Sequence, residues 1–194
     1  MGLNTMPNLL WLSVQDGLLL NDKKGIKARS YTGTLVSVKQ VTDIFKEEGK
    51  DDKPINKIEV RLKDTASDEI ACVKFYEWGA YAQGFFARVK SADVSKPIEL
   101  AVSNQPERPK ICYCWIKQDG VIIPEDKTNF PQPTKTTKEK DGKTIEVNNY
   151  EPCIAFYPSV IADLTEKIEK TKGSVAETAE ATIPSESEGE DLPF

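Results

Sequence analysis

From Lys27 onward the chain alternates apolar and polar side chains with period two, the spacing of half-buried β-strands. Residues 30–42 carry Tyr31, Thr32, Thr34, Val36, Val38, Val41 and Thr42, with Gly33 where a curved strand needs a bend or bulge. Ile58, Val60 and Leu62 then alternate with Lys57, Glu59, Arg61 and Lys63, which predicts one apolar and one largely basic face. After a turn at 64–68, residues 69–76 set Ala71, Val73 and Phe75 against Cys72, Lys74 and Tyr76. Trp78-Gly79 leads into 80–90, where Ala80, Tyr81, Phe85 and Val89 predict a short helix, against the preference of Gly84. A fourth strand spans 97–102. Residues 111–116 and 121–123 pair across Gln118-Asp119-Gly120, with Ile111, Tyr113 and Trp115 on one face and Cys112, Cys114 and Ile116 on the other.

Outside this block the pattern is less regular. In residues 1–25, Leu9-Leu10-Trp11-Leu12 and Leu18-Leu19-Leu20 flank Gln15-Asp16-Gly17, which reads either as a hairpin or as an arm packed on the domain. Residues 45–54 form a charged connection. Residues 125–150 are polar, with a basic stretch at 135–143, and read as a long loop or as an extended hairpin turning at Asp141-Gly142. Residues 153–157 are expected to return a strand to the sheet. Pro158 then opens a helix over 159–170 with Ile161, Leu164 and Ile168 on one stripe, ended by Gly173. Phe75 and Phe85 are expected in the core.

A helix between the third and fourth of five strands is the arrangement of the OB-fold, a partly open five-stranded barrel. The expected fold is therefore mostly β: an N-terminal arm or hairpin over 1–25, an OB-fold domain over 26–172 with a long loop at 124–150 and a C-terminal helix, and a disordered acidic tail over 173–194. An SH3-like barrel or a sandwich remains open on the same pattern.

Composition narrows the chemistry. The chain has 194 residues, no His, and a formal charge of −5. Six of its 31 acids lie beyond Lys172, where there is no Lys or Arg, so residues 1–172 hold 25 acids against 26 bases. A body near neutrality removes the objection that a low overall pI raises against a polyanionic ligand. Without His the usual general base and the commonest metal ligand are missing. Cys112-Tyr113-Cys114 with distant Cys72 and Cys153 does not have the paired spacing of a zinc site. No catalytic constellation, metal or cofactor is expected. No apolar run has the length of a membrane span, and the chain is expected to be intracellular, with reduced thiols.

The last ten residues are Ser185-Glu186-Ser187-Glu188-Gly189-Glu190-Asp191-Leu192-Pro193-Phe194. An acidic run closed by Leu-Pro-Phe resembles the C-terminal tip of bacterial single-stranded DNA-binding proteins, and phage proteins of that function also end in acids and an aromatic. The resemblance covers about ten residues. It implies an OB-fold body that coats single strands, and a tip (Glu188, Glu190, Asp191, Leu192, Pro193, Phe194) that recruits replication, recombination or repair proteins.

The body has residues suited to such a role, because single strands are held by aromatic rings that stack on bases while Lys and Arg track phosphates. The candidates are Lys57, Arg61, Lys63, Lys74, Tyr76 and Trp78 on the second and third strands, Arg29 and Tyr31 on the first, and Phe45 in the following loop. Tyr113 and Trp115 are further candidates whose face also holds Ile111. The expected function is sequence-independent single-stranded DNA binding, cytoplasmic (nucleoid-associated, or in the host cytoplasm if phage-encoded), with a homo-oligomer allowed. The alternative is a protein-interaction or assembly module whose barrel binds no nucleic acid.

Overall fold

The structure is a computed structural model describing residues 9–45, 52–67, 69–140 and 142–180, side chains at 45 and 173–180 excepted. The chain enters through β1 (Leu9–Gln15), β2 (Leu18–Asn21) and β3 (Ile26–Ala28). A meander follows: β4 (Ser30–Phe45), β5 (Lys53–Lys63) and β6 (Ile70–Tyr76). Helix α1 (Ala80–Val89) leads to β7 (Pro97–Gln105), β8 (Arg108–Gln118) and β9 (Val121–Ile122). The ribbon β10 (Thr134–Lys140) and β11 (Lys143–Asn149) precedes α2 (Glu151–Ile154) and α3 (Tyr157–Glu180). The first nine strands form one sheet, in the order β3-β2-β1-β6-β5-β4-β7-β8-β9, curled into a half-barrel.

Period-two alternation places the core on the concave side. Ile58, Val60 and Leu62 of β5, Ala71, Val73 and Phe75 of β6, Ile98, Leu100 and Val102 of β7, and Cys114 and Ile116 of β8 are all buried. Helices α1 and α3 cover them. Phe85 meets Phe75 edge-on at 5.5 Å, and Phe86 stacks on Tyr157 of α3 at 4.1 Å. Each such side chain contributes about 1.5–3 kcal/mol by leaving water.

Two glycines permit close approach. Gly84 lies against β8, where a Cβ would come within 3.3 Å of the Cys114 carbonyl oxygen. The residue that weakened the helix prediction is thus what lets α1 pack on this strand. At Gly33 a Cβ would stand 2.6 Å from the Lys63 carbonyl oxygen. The irregularity of β4 falls a little later, between Leu35 and Ser37 in the pairing with β5.

Four sequence expectations resolve or change. Residues 1–25 do contain a hairpin: Asp16 and Gly17 take φ of 51° and 75°, as a two-residue primed turn requires, and β1 joins the sheet parallel to β6. Residues 134–149 form an extended hairpin. Residues 153–157 do not return a strand; they span α2 and the start of α3. Cys153, Tyr157, Val160, Leu164 and Ile168 are buried at helical spacing, so the helical stripe begins earlier than its clearest part. Gly173 does not end the helix, which runs on to Glu180. The Ala- and Glu-rich residues after it favour helix, and one interior glycine costs only about 1 kcal/mol.

Candidate nucleic-acid interface

The convex face of β4, β5, β6 and β1 collects the side chains that alternation excludes from the core. Pairing sets Lys57 opposite Tyr76, Glu59 opposite Lys74 and Arg61 opposite Cys72 across β5 and β6. On the far side of β6, Trp11 stands opposite Cys72 and Ser13 opposite Lys74. Three aromatic rings are open to solvent here: Trp11 at 44 %, Tyr76 at 43 % and Trp78 at 60 % exposure. Tyr76 and Trp78 stack on each other at 5.2 Å with 30° between their planes. Lys57 lies 5.5 Å over the Tyr76 ring and Lys74 lies 5.0 Å over Trp11.

The cations between these rings are held by two acids. Arg61 donates from Nε and Nη2 to Glu59 Oε1 at 2.9 and 2.8 Å, and Lys74 lies 3.7 Å from Glu59 Oε2. Lys74 and Lys57 reach the two oxygens of Asp43 at 3.3 and 3.0 Å. Arg61, Glu59, Lys74, Asp43 and Lys57 thus form an alternating chain with net charge +1. Glu59 is only 6 % exposed. A carboxylate so covered is tolerable because two cations flank it. The hydrogen bond from Lys57 holds the Asp43 carboxyl below its usual range, with Lys74 adding to the effect.

Glu77 has a positioning role. Its side chain is buried and accepts from Asn56 Nδ2 at 2.9 Å and Gln40 Nε2 at 3.3 Å, while its own N–H donates to the Asn56 carbonyl. The residue between Tyr76 and Trp78 is thereby tied inward, and its two neighbours are exposed.

Of the predicted residues, Lys57, Arg61, Lys74, Tyr76 and Trp78 come together, with Lys63 exposed farther along β5. Tyr31 does not join them. It pairs with the buried Leu100, packs against the core, and its hydroxyl is pushed up to about 12 by burial and by Asp64 and Glu69. Arg29 is exposed at the bend before β4, its carbonyl bonded to Val102 of β7, at the opposite end of β4 from this face. Phe45 pairs with Lys53 at the end of β4, and its side chain lies outside the described residues. Tyr113 and Trp115 lie on β8, separated from β5 by β4 and β7 in the sheet. There Trp115 Nε1 donates to Ser103 at 2.7 Å and Arg88 lies 4.8 Å over its ring, itself bridged to Glu125 at 2.8 Å. The acidic tip Glu188–Phe194 also lies outside the described residues.

Sequence reasoning missed Trp11 and Glu77. Trp11 did carry a signal: it alternates with Leu10 and Leu12, which are buried. Its neighbours on β6 are fixed by a parallel pairing across about 60 residues of chain, which no local pattern contains.

Burial pushes the Cys72 thiol up to about 11, with Glu59 adding to it, and burial pushes Cys114 up to about 12. Both thiols are protonated at neutral pH and therefore poor nucleophiles. Among the described residues no cluster of three or more potential ligands gathers for a metal, and no helix is long and apolar enough to cross a membrane. No family model, curated protein or solved structure matches this chain.

Proposed function

We propose that this protein binds single-stranded DNA without sequence preference, through the convex face of β1, β6, β5 and β4. The observation that carries the reading is three exposed rings, Trp11, Tyr76 and Trp78, interleaved with Lys57, Lys74 and Arg61 on adjacent strands. Bases stack on the rings, at about 1–3 kcal/mol each, and any base serves because every base has a π-face. Asp43 and Glu59 partly neutralise these cations, so phosphates compete with two carboxylates for them. The phosphates then share or take over those contacts.

Several features support an OB-fold reading of the core of the sheet. The order β6-β5-β4-β7-β8 has α1 inserted between β6 and β7 in sequence. On this reading β1 and α1 flank the opening that the five strands leave, and the binding face is the one OB-folds commonly use. The tip ending in Leu192-Pro193-Phe194 would recruit replication or repair proteins in the cytoplasm.

Titration with a dT oligomer of about 30 nucleotides, longer than the ~4–16 that one OB-fold occupies, tests the reading. Tryptophan fluorescence should quench on binding, and affinity should fall with salt. Absence of quenching and of binding at low salt would overturn it and favour the protein-interaction alternative.

A further inference from the structure

The ribbon β10–β11 stands apart from the sheet, its two strands paired only with each other. Resting on the single-strand reading above, we propose that this ribbon is a second phosphate-binding element, gripping the nucleic-acid backbone through one of its two faces.

The register sorts its side chains sharply. Thr136 pairs with Val147, Lys138 with Ile145, and Lys140 with Lys143, so these six share one face. Lys135, Thr137, Glu139, Thr144 and Glu146 occupy the other. Both acids therefore fall on the second face, where Lys135 is bridged to Glu146 at 3.0 Å. Lys138, Lys140 and Lys143 are exposed, and among the described residues none of them has an ion pair. A ribbon serving solubility alone would intersperse both signs on both faces. This one presents three cations and no acid on one side, with Ile145 and Val147 beside them for contact with sugars or bases.

That complement fits a polyanion. Lys138 and Lys140 are two residues apart on a strand, about 6.8 Å, comparable with successive phosphates of an extended single strand. An isolated two-stranded hairpin is marginal in water, so a ligand laid along it would also order it. Its base is secured: Phe130 is buried against Phe156 and Tyr157, and the Cys153 thiol donates to the Pro131 carbonyl at 3.1 Å. The arm is thus anchored at its root while its charged length stays open.

The test compares the full chain, its triple variant Lys138→Gln, Lys140→Gln, Lys143→Gln, and Lys135→Gln on the opposite face. Each is titrated with a dT oligomer of about 30 nucleotides over a salt series, alongside sedimentation. Each phosphate contact on a single strand contributes about 0.7 to the slope of log K against log salt. The triple variant should have a slope shallower by about 2 and bind at least about tenfold more weakly at low salt. Its tryptophan quenching at saturation should be unchanged, and Lys135→Gln should behave as the unaltered chain. An unchanged slope, or tighter binding as if the ribbon had held the chain's own acidic segment, overturns the ribbon's role and leaves the sheet-face reading standing. So does loss of an oligomer at unchanged slope, which assigns the ribbon to self-association. Failure of the unaltered chain to bind dT overturns both.

Discussion

On the convex sheet face, Lys57, Lys74 and Arg61 are tied to Asp43 and Glu59 above strands whose other side is fully buried. On the ribbon, Lys138, Lys140 and Lys143 extend from two strands with no core beneath them and no acid on their face. The two regions use the same kinds of side chain, yet they offer a polyanion different things. The sheet face supplies fixed geometry and stacking rings, with a net charge of only +1 in its ion-pair chain. The ribbon supplies three cations that no carboxylate compensates among the described residues, on two strands paired only with each other. Counting cations is therefore a poor guide to available charge; what matters is whether each cation already has a carboxylate.

The largest expected contrast is in stability. Leu62→Ala, beneath the sheet face, should lower unfolding free energy by about 2–5 kcal/mol, whereas Ile145→Ala on the ribbon should change it by less than about 0.5 kcal/mol. Denaturant unfolding of both variants measures this, and equal losses would erase the distinction between a core-backed face and a free arm. Next in size, Trp78→Ala should weaken dT binding by about 1–3 kcal/mol with little change in melting temperature, since the ring is mostly exposed. Unchanged affinity would remove the stacking role from this face.

A smaller effect addresses the acids. Glu59→Gln should make the sheet face more like the ribbon by releasing Arg61 and Lys74. Binding at low salt should tighten by about 2–10-fold with a steeper salt slope, while stability falls by about 1 kcal/mol because the cations left behind, Arg61 and Lys74, are partly solvated. Weaker binding would mean that Glu59 acts mainly by holding the cations in place. Smallest is a pH effect. The Asp43 carboxyl lies below its unfolded value of 3.8 because Lys57 and Lys74 stabilise its charge. Its contribution is therefore present above that value and lost as pH falls through the lower folded value. Unfolding midpoints between pH 5 and pH 2.5 should fall less steeply for Asp43→Asn than for the unaltered chain. The ribbon variants should show no such difference.

Alternation made most of the sheet legible. Strands β4 to β8, the short α1 and the turn at Asp119-Gly120 follow from residues within a few positions of one another, and so does the convex placement of Lys57, Arg61, Lys74 and Tyr76. Tyr31 was misplaced because β4 is irregular between Leu35 and Ser37: Leu35 and Val38 are both buried, and Tyr31 shares the face of Leu35. The five residues from Cys153 to Tyr157 are too short a run to separate strand from helix by period, and burial against α1 decided in favour of helix. Gly84 argued locally against α1, and the reason it is there is the approach to Cys114.

By itself, then, the sequence determined the alternation of β5 to β8, which sets Ile58, Val60, Leu62, Val73 and Leu100 inward, because that choice depends on a local period and on the cost of burying charge. Tertiary structure alone decided which exposed residues become neighbours. Trp11 reaches Lys74 through a parallel pairing with β6, and Glu59 and Asp43 neutralise cations brought across three strands. Such contacts depend on how distant segments are aligned, and a one-residue slip would send each of these side chains to the opposite face.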